Sequence, residues 1–261
     1  MKAVGFVKSW ATIIITGLLA VASADASVIY QDDFSANSGA LSGRTTAAGF
    51  GSWTTSSDSF QVSGGQVEIN SNSPVDYHFA HFVLPTLAAS DILSVDVTVR
   101  PSGAGFMGIG FLPLAGDYLI NSGLPWLYLT GLDSASPGHV EIFRGAGAAD
   151  NVYSGTPAGF DAALPTTYHF VFDKTASTLS ISAENGSTTS DLAIDLDVSI
   201  AAANSGFEKF GMQFQSQALS TDASPAYMSD ISVQVIPEPA TVSVLGLGAL
   251  VTLLIRRYRC V

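Results

Sequence analysis

Between Val62 and Val235 the apolar positions of the chain recur with a period of two. In ILSVDVTVR, Leu93, Val95, Val97 and Val99 fall on one face, and Ser94, Asp96, Thr98 and Arg100 on the other. TYHFVFD alternates Tyr168, Phe170 and Phe172 with His169, Val171 and Asp173, and TLSISAEN sets Leu179, Ile181 and Ala183 against Ser180, Ser182 and Glu184. KFGMQFQ opposes Phe210, Met212 and Phe214 to Gly211, Gln213 and Gln215, and DISVQV repeats the pattern with Ile231, Val233 and Val235. Successive side chains of a strand point to opposite faces, so each segment predicts a half-buried antiparallel strand. LPWLYL differs: Leu124, Trp126 and Tyr128 share one face while Leu127 and Leu129 take the other, which predicts a strand covered on both sides.

Clusters of Gly, Pro, Asn, Asp and Ser separate these segments. The stretch FDKTAST at 172–178 and Asn185-Gly186 within SAENGSTT read as hairpin connections or turns. No long stripe of helical period lies outside the two termini, and no repeat of fixed period emerges. About ten to thirteen strands of this kind predict an all-β jelly roll, two antiparallel sheets packed as a sandwich.

The termini follow other rules. Lys2 and Lys8 precede an apolar run from Trp10 to Val21 and the small residues ASADAS, the layout of a secretory signal peptide over 1–26 cleaved after Ala24 or Ala26. At the other end Ala240 to Ile255 carries no charge. As a helix it would reach about 24 Å, marginal against a hydrocarbon core of about 30 Å. Arg256, Arg257 and Arg259 then place cations on the cytoplasmic side, so the body would lie outside the membrane. Pro237 and Pro239 bar the helix from extending upstream and hold Glu238 extended. The expected units are thus a signal helix over 1–26, a sandwich over 27–235 and a tail with a transmembrane helix over 236–261.

Pro237-Glu238-Pro239, a short apolar helix and a terminal arginine cluster, in that order, resemble the PEP-CTERM sorting signal of exported bacterial proteins. The resemblance implies an exosortase as processing partner. It also implies transient anchoring in the inner membrane, cleavage near Pro-Glu-Pro and delivery to the cell envelope or an exopolysaccharide matrix. The trailing Cys260-Val261 departs from a tail ending in arginine.

Of ten basic residues, five sit in these terminal segments. The body keeps Arg44, Arg100, Arg144, Lys174 and Lys209 against twenty acidic residues, which excludes nucleic acid as a partner. The one cysteine, Cys260, lies beyond the arginines, so the body has no disulfide and stability rests on packing, or on packing aided by a metal ion.

A second resemblance lies at the start of the body. YQDDFSANSGALSGRTTAAGFGSW and FQVSGGQVEIN, with Asp32, Asp33, Phe34, Leu41, Gly43, Arg44, Trp53, Gly64 and Gly65, are similar to the opening of concanavalin A-like (laminin G-like) domains of exported bacterial proteins. TYHFVFDKTASTLSISAENG resembles a hairpin near the end of such domains. The resemblance implies two facing sheets, often with a carbohydrate or protein ligand on the concave face.

Chemistry is sparse in the motifs. Glycosidases of that fold carry a Glu-x-Asp-x-x-Glu strand whose carboxylates act as nucleophile and acid. The nearest stretch, DLAIDLDV, has no glutamate; it places Asp191, Asp195 and Asp197 on one face and Leu192, Ile194 and Leu196 on the other. That is a solvated strand face or part of a calcium site, and calcium is the one cofactor the sequence suggests. In PVDYHFAHF, Asp76 and His78 share a face opposite Tyr77, Phe79 and His81, so the imidazoles do not converge on one metal. No nucleophile elbow, zinc-protease helix or phosphate loop is present. Trp126, Tyr128 and Trp53 are candidate sugar platforms, with burial in the core as the competing reading. The expected function is that of an exported, non-catalytic sandwich binding polysaccharide or matrix; the alternative is a polysaccharide-active enzyme, a glycoside hydrolase or lyase.

Overall fold

The computed structural model describes residues 26–36, 38–45, 52–56, 60–69, 77–102, 105–145, 150–199, 206–215 and 226–237. Val28–Val235 form one compact unit. Its first strands are β1 (Ser27–Asp32), β2 (Gly39–Ala40), β3 (Thr54–Thr55), β4 (Phe60–Ser63), β5 (Gln66–Ile69), β6 (Tyr77–Val83), β7 (Asp91–Arg100) and β8 (Phe106–Leu112). There follow β9 (Trp126–Thr130), β10 (Val140–Phe143), β11 (Asn151–Gly155), β12 (Thr166–Asp173), β13 (Thr178–Asn185), β14 (Thr188–Asp197), β15 (Lys209–Gln215) and β16 (Tyr227–Pro237). These sixteen, against the ten to thirteen expected, include the two-residue β2 and β3, too short for any periodic pattern to mark.

Two antiparallel sheets result. One runs β14-β13-β12-β7-β16-β5-β4-β2 with β1 also on β16; the other runs β11-β10-β9-β8-β15-β6-β3. Hairpins build both: Gly64 and Gly65, with φ of 60° and 81°, supply the left-handed backbone of the two-residue turn between β4 and β5. The period-two faces meet in register, Val95 lying opposite Phe170 and Phe170 opposite Ile181, so the apolar residues form continuous rows. Aromatic rings then join the sheets. Phe170 of the larger meets Phe111 at 5.8 Å and Phe210 at 5.3 Å on the smaller, while Phe60 faces Phe214 at 6.0 Å.

The residues that carry the concanavalin A-like resemblance form a corner of this core. Asp32 accepts the Phe34 amide at 2.8 Å, and Arg44 grips the same carboxylate through Nε at 2.8 Å and Nη2 at 3.0 Å. The fork-shaped contact holds Phe34 in a left-handed backbone, φ 54°, with its buried ring beneath the guanidinium at 5.6 Å. Trp53 donates Nε1–H to the Tyr30 hydroxyl at 2.8 Å and packs against Phe82 at 4.9 Å.

β14 departs from the expected alternation. Leu192 is buried, but Ile194 is 69% exposed instead of sharing its face. Two register shifts against β13 each add a residue to β14, and Asp195 takes a left-handed φ of 48°, so the phase changes within the strand. The signal-peptide residues through Asp25 lie outside the described residues, as do Glu238, Pro239, the apolar tail, Arg256, Arg257 and Arg259; Pro237 closes β16. Among the described residues no helix is long and apolar enough to cross a membrane.

Replacing Arg44 by Met leaves the mostly buried Asp32 carboxylate without its cation and should lower unfolding free energy by about 2 kcal/mol. Replacing Arg144, which meets Asp150 at 3.7 Å on the open surface, should cost under about 0.5 kcal/mol. Urea titrations of the two variants check the contrast.

Candidate ligand-binding face

The smaller sheet turns Met107, Ile109, Phe111, Leu127, Leu129, Phe210 and Met212 into the main core. Alternation sends the intervening residues to its outer face, and the pairing arranges them in rows. One row reads His81, Gly211, Gly110, Trp126, Phe143; the next reads Phe79, Gln213, Gly108, Tyr128, Glu141. Glycines on β8 and β15 thus form a floor between two aromatic walls. A Cβ at Gly110 would lie 2.6 Å from Trp126 Cα, and one at Gly211 would lie 2.5 Å from the Ala80 carbonyl, so only glycine fits this close approach of strands. On one wall Trp126 stacks on Phe143 at 4.7 Å and Tyr128 on Phe106 at 4.5 Å; on the other Phe79 stacks on His81 at 5.6 Å.

The connection from β8 to β9, residues 113–125, crosses this face as a strap. Its 3-10 turn, Leu119–Asn121, sets the buried Leu119 beside Trp126, both within 3.4 Å of where a Gly108 Cβ would stand. Leu119 joins Phe106, Leu112, Trp126 and Phe143 in an apolar cluster separate from the main core. Backbone groups of the strap need partners there, and side chains of β15 and of Glu208 just before it supply them. Gln213 Oε1 accepts the Leu119 amide at 2.7 Å and the Ile120 amide at 3.4 Å. Lys209 donates Nζ–H to the Gly116 carbonyl at 2.8 Å and lies 3.3 Å from the Asp117 carboxylate. Glu208 accepts the Leu114 amide at 2.7 Å, and Phe79 meets Tyr118 edge-on at 5.1 Å.

Three buried polar atoms of this face have no hydrogen-bond partner: His81 Nδ1, Trp126 Nε1 and Gln213 Nε2. Each such group costs about 1–3 kcal/mol relative to a satisfied one. His81 is also held neutral. Burial, and the nearby Lys209 ammonium, push its pKa from 6.5 down to about 4, against a weaker upward pull from Asp117, 3.9 Å away.

Of the sequence candidates, Trp126 and Tyr128 lie on this face and the others fall elsewhere. Trp53, only 1% exposed and bonded to Tyr30, is a core residue and offers no face for stacking. Trp126, 2% exposed, lies under the strap; Tyr128 beside it is half-buried. His78 shares the inner face with Ala80 and Phe82 while His81 points outward, the opposition expected for the two imidazoles. Asp191, Asp195 and Asp197 do not converge. Asp191 sits opposite Ser182 and Asp197 opposite Thr178, about 13 Å apart along β13. Among the described residues no cluster of three or more His, Cys, Asp or Glu side chains suits a metal, so the calcium set does not fit here.

Two arrangements have the residue types of hydrolysis without its geometry. Asp96, His169, Ser182 and Asp191 form a row on the outer face of the larger sheet, with His169 Nδ1 2.8 Å from Asp96, yet no hydrogen bond links the Ser182 hydroxyl to the imidazole. At the edge of the smaller sheet Ser154 and Glu141 both approach His139 Nε2, so the carboxylate cannot orient the ring through its other nitrogen. A cleft of about 550 Å³ lined by Leu87, Leu114, Phe172, Lys174, Phe207 and Glu208 has its charged groups engaged by the backbone of Leu87 and Leu114. The outer face of the smaller sheet is therefore the site with unmet polar atoms beside stacked rings. Periodicity marked Trp126 and Tyr128 but missed His81, Lys209 and Gln213; the alternate glycines of FMGIGFL and the single Gly211 of KFGMQFQ were the available signal.

No protein-family model and no curated protein sequence matches the chain. Solved structures do resemble it. The winged bean acidic lectin, complexed with methyl-α-D-galactose, superposes with a TM-score of 0.53 at 9% identity over 81% of this chain and 99% of its own. Peanut lectin, crystallised with a nine-residue peptide, gives 0.51 at 11% identity over 76% and 97%. The carbohydrate recognition domain of Emp47p gives 0.50 at 13% identity over 82% and 98%. At these identities the likeness shows the fold: a concanavalin A-like sandwich of the legume-lectin type.

Unfolded His81 binds a proton with an ordinary pKa, whereas the folded protein resists it down to about pH 4. Its contribution to stability is therefore full above pH 6.5 and declines as pH falls from 6.5 toward 4, by up to about 3 kcal/mol. Denaturation of wild type and His81→Asn across pH 7 to 4 should show that the variant lacks this part of the acid-side loss.

Proposed function

We propose that this chain is an exported, non-catalytic β-sandwich that binds carbohydrate, sorted by an exosortase-type tail to the cell envelope or its exopolysaccharide matrix. One observation carries the binding half: in a fold shared with sugar-binding proteins, one sheet face combines stacked aromatic rings with unmet buried hydrogen-bonding atoms. Aromatic rings suit the C–H faces of pyranoses, and a small set of polar atoms fixes their orientation. The acidic body favours neutral glycans over anionic ones. The sorting half rests on Pro237, Glu238, Pro239, the uncharged stretch that follows, and Arg256, Arg257 and Arg259. The signal peptide delivers the body across the inner membrane, and the tail holds it there until it is processed.

Protein purified from the envelope should bind neutral oligosaccharides on a glycan array, tested with millimolar calcium and with chelator. Silence in both conditions counts against the carbohydrate reading, and release of reducing ends would instead favour the glycan-active enzyme.

Envelope-resident protein should have an intact mass lacking the arginine cluster, and replacing Arg256, Arg257 and Arg259 by Glu should abolish surface display. Arginines retained in the resident form would refute sorting by cleavage.

A further inference from the structure

We infer that the glycine-floored strip between the His81–Phe79 wall and the Trp126–Tyr128 wall is the sugar groove, and that the 113–125 strap is its displaceable occupant. The inference rests on the carbohydrate reading above and adds a location, a contact set and a gate.

The strap fills the groove where a ligand ring would lie. Leu119 stands over Gly108 against the benzo edge of the Trp126 indole, and three buried polar atoms of the residues lining this face have no hydrogen-bond partner from the strap or elsewhere among the described residues. Trp126 Nε1, Gln213 Nε2 and His81 Nδ1 belong to residues 2%, 0% and 5% exposed, yet none has a partner. A cover fitted only for packing would leave apolar atoms there or satisfy the polar ones. Sugar hydroxyls both donate and accept, so they can serve two N–H donors and an imidazole nitrogen of either tautomer. Pyranose C–H faces match the neighbouring rings.

The closed state is held by a small latch. Lys209 binds Gly116 and Asp117, and Gln213 Oε1 binds Leu119 and Ile120. Opening frees Gln213 and clears Leu119 from the indole. Because the competent state is then a fraction of the population, apparent affinity is reduced by that fraction, and weakening the latch restores it.

The full chain is titrated with oligomers of glucose, galactose and mannose by calorimetry, and strap amides are followed by hydrogen exchange. Bound oligomer should speed exchange at Leu119 and Ile120. Lys209→Met should tighten binding about tenfold. Asp117→Asn, at a half-exposed carboxylate, should tighten it in the same direction without touching a buried side chain. Trp126→Phe, which keeps a ring but deletes the N–H, should weaken it at least tenfold. If wild type binds but both latch variants bind equally or more weakly, or the strap amides become more protected, the gate is wrong and the carbohydrate reading stands. If neither wild type nor a latch variant binds any oligomer, both fall.

Discussion

A sheet that carries large apolar side chains on both faces cannot be left open to water on either, and the smaller sheet here is of that kind. All seven residues of β8 are buried, and on β9 Trp126 is as enclosed as Leu127. The larger sheet covers one face; among the described residues the strap lies across the other. Its coverage creates polar needs in turn, because a connection laid across an apolar surface brings unpaired amides and carbonyls with it. Gln213 and Lys209 are buried on the outer face for that reason, each answering strap backbone. His81 is left neutral and partly unpartnered beside them. Burial, hydrogen bonding and protonation state at this face all follow from one topological fact, the length and path of the β8–β9 connection.

The inner interface works differently. Rows of Val, Leu, Ile and Phe set by register meet across the sandwich through rings from both sheets, with Phe170 wedged between Phe111 and Phe210. The N-terminal corner adds a directional element. Asp32 and Arg44 fix the backbone at Phe34, and Tyr30 and Trp53 tie their polar tips together while their rings pack on Phe82. The residues that resemble the concanavalin A-like opening are thus structural in role. They speak for the fold and carry no information about the ligand.

That division explains what the sequence disclosed. Strands β7, β12 and β13 were legible because burial on one face forces a period of two, and Leu93 to Val99 obey it strictly; β15 alternates in residue type from Phe210 to Phe214 but, unlike the half-buried strand expected, is buried on both faces, Gln213 and Lys209 included. β14 was misread because bulges reset the phase between Leu192 and Leu196, and nothing local marks a bulge when Asp, Leu and Ile simply alternate. Trp53 was open to two readings because aromatic residues beside glycine-rich loops serve cores and ligand platforms alike. The outer face was the least legible. Its walls come from β6, β9 and β10 and its floor from β8 and β15, so no contiguous motif spans it, and Leu119-Ile120 in the strap is indistinguishable by composition from a strand fragment.

The acidity of the body has a local cause that bears on function. Many of its aspartates accept backbone amides a few residues away: Asp32 from Phe34, Asp33 from Ser35, Asp91 from Ala88, Asp161 from Ala163, Asp173 from Ala176 and Asp197 from Ser199. A sandwich of many short strands has many turns, and aspartate closes turns by this bond. At Asp33 and Asp197 the amide of the second residue on holds the carboxyl below its usual range, as a bond to the charged form should. The carboxylates that close turns in this way are each directed at their own backbone, whereas a shared cation shell needs several oxygens aimed at one point. Part of the negative charge thus follows from turn chemistry in an all-strand body, while the ring-walled outer face of the smaller sheet keeps hydrogen-bonding atoms unmet.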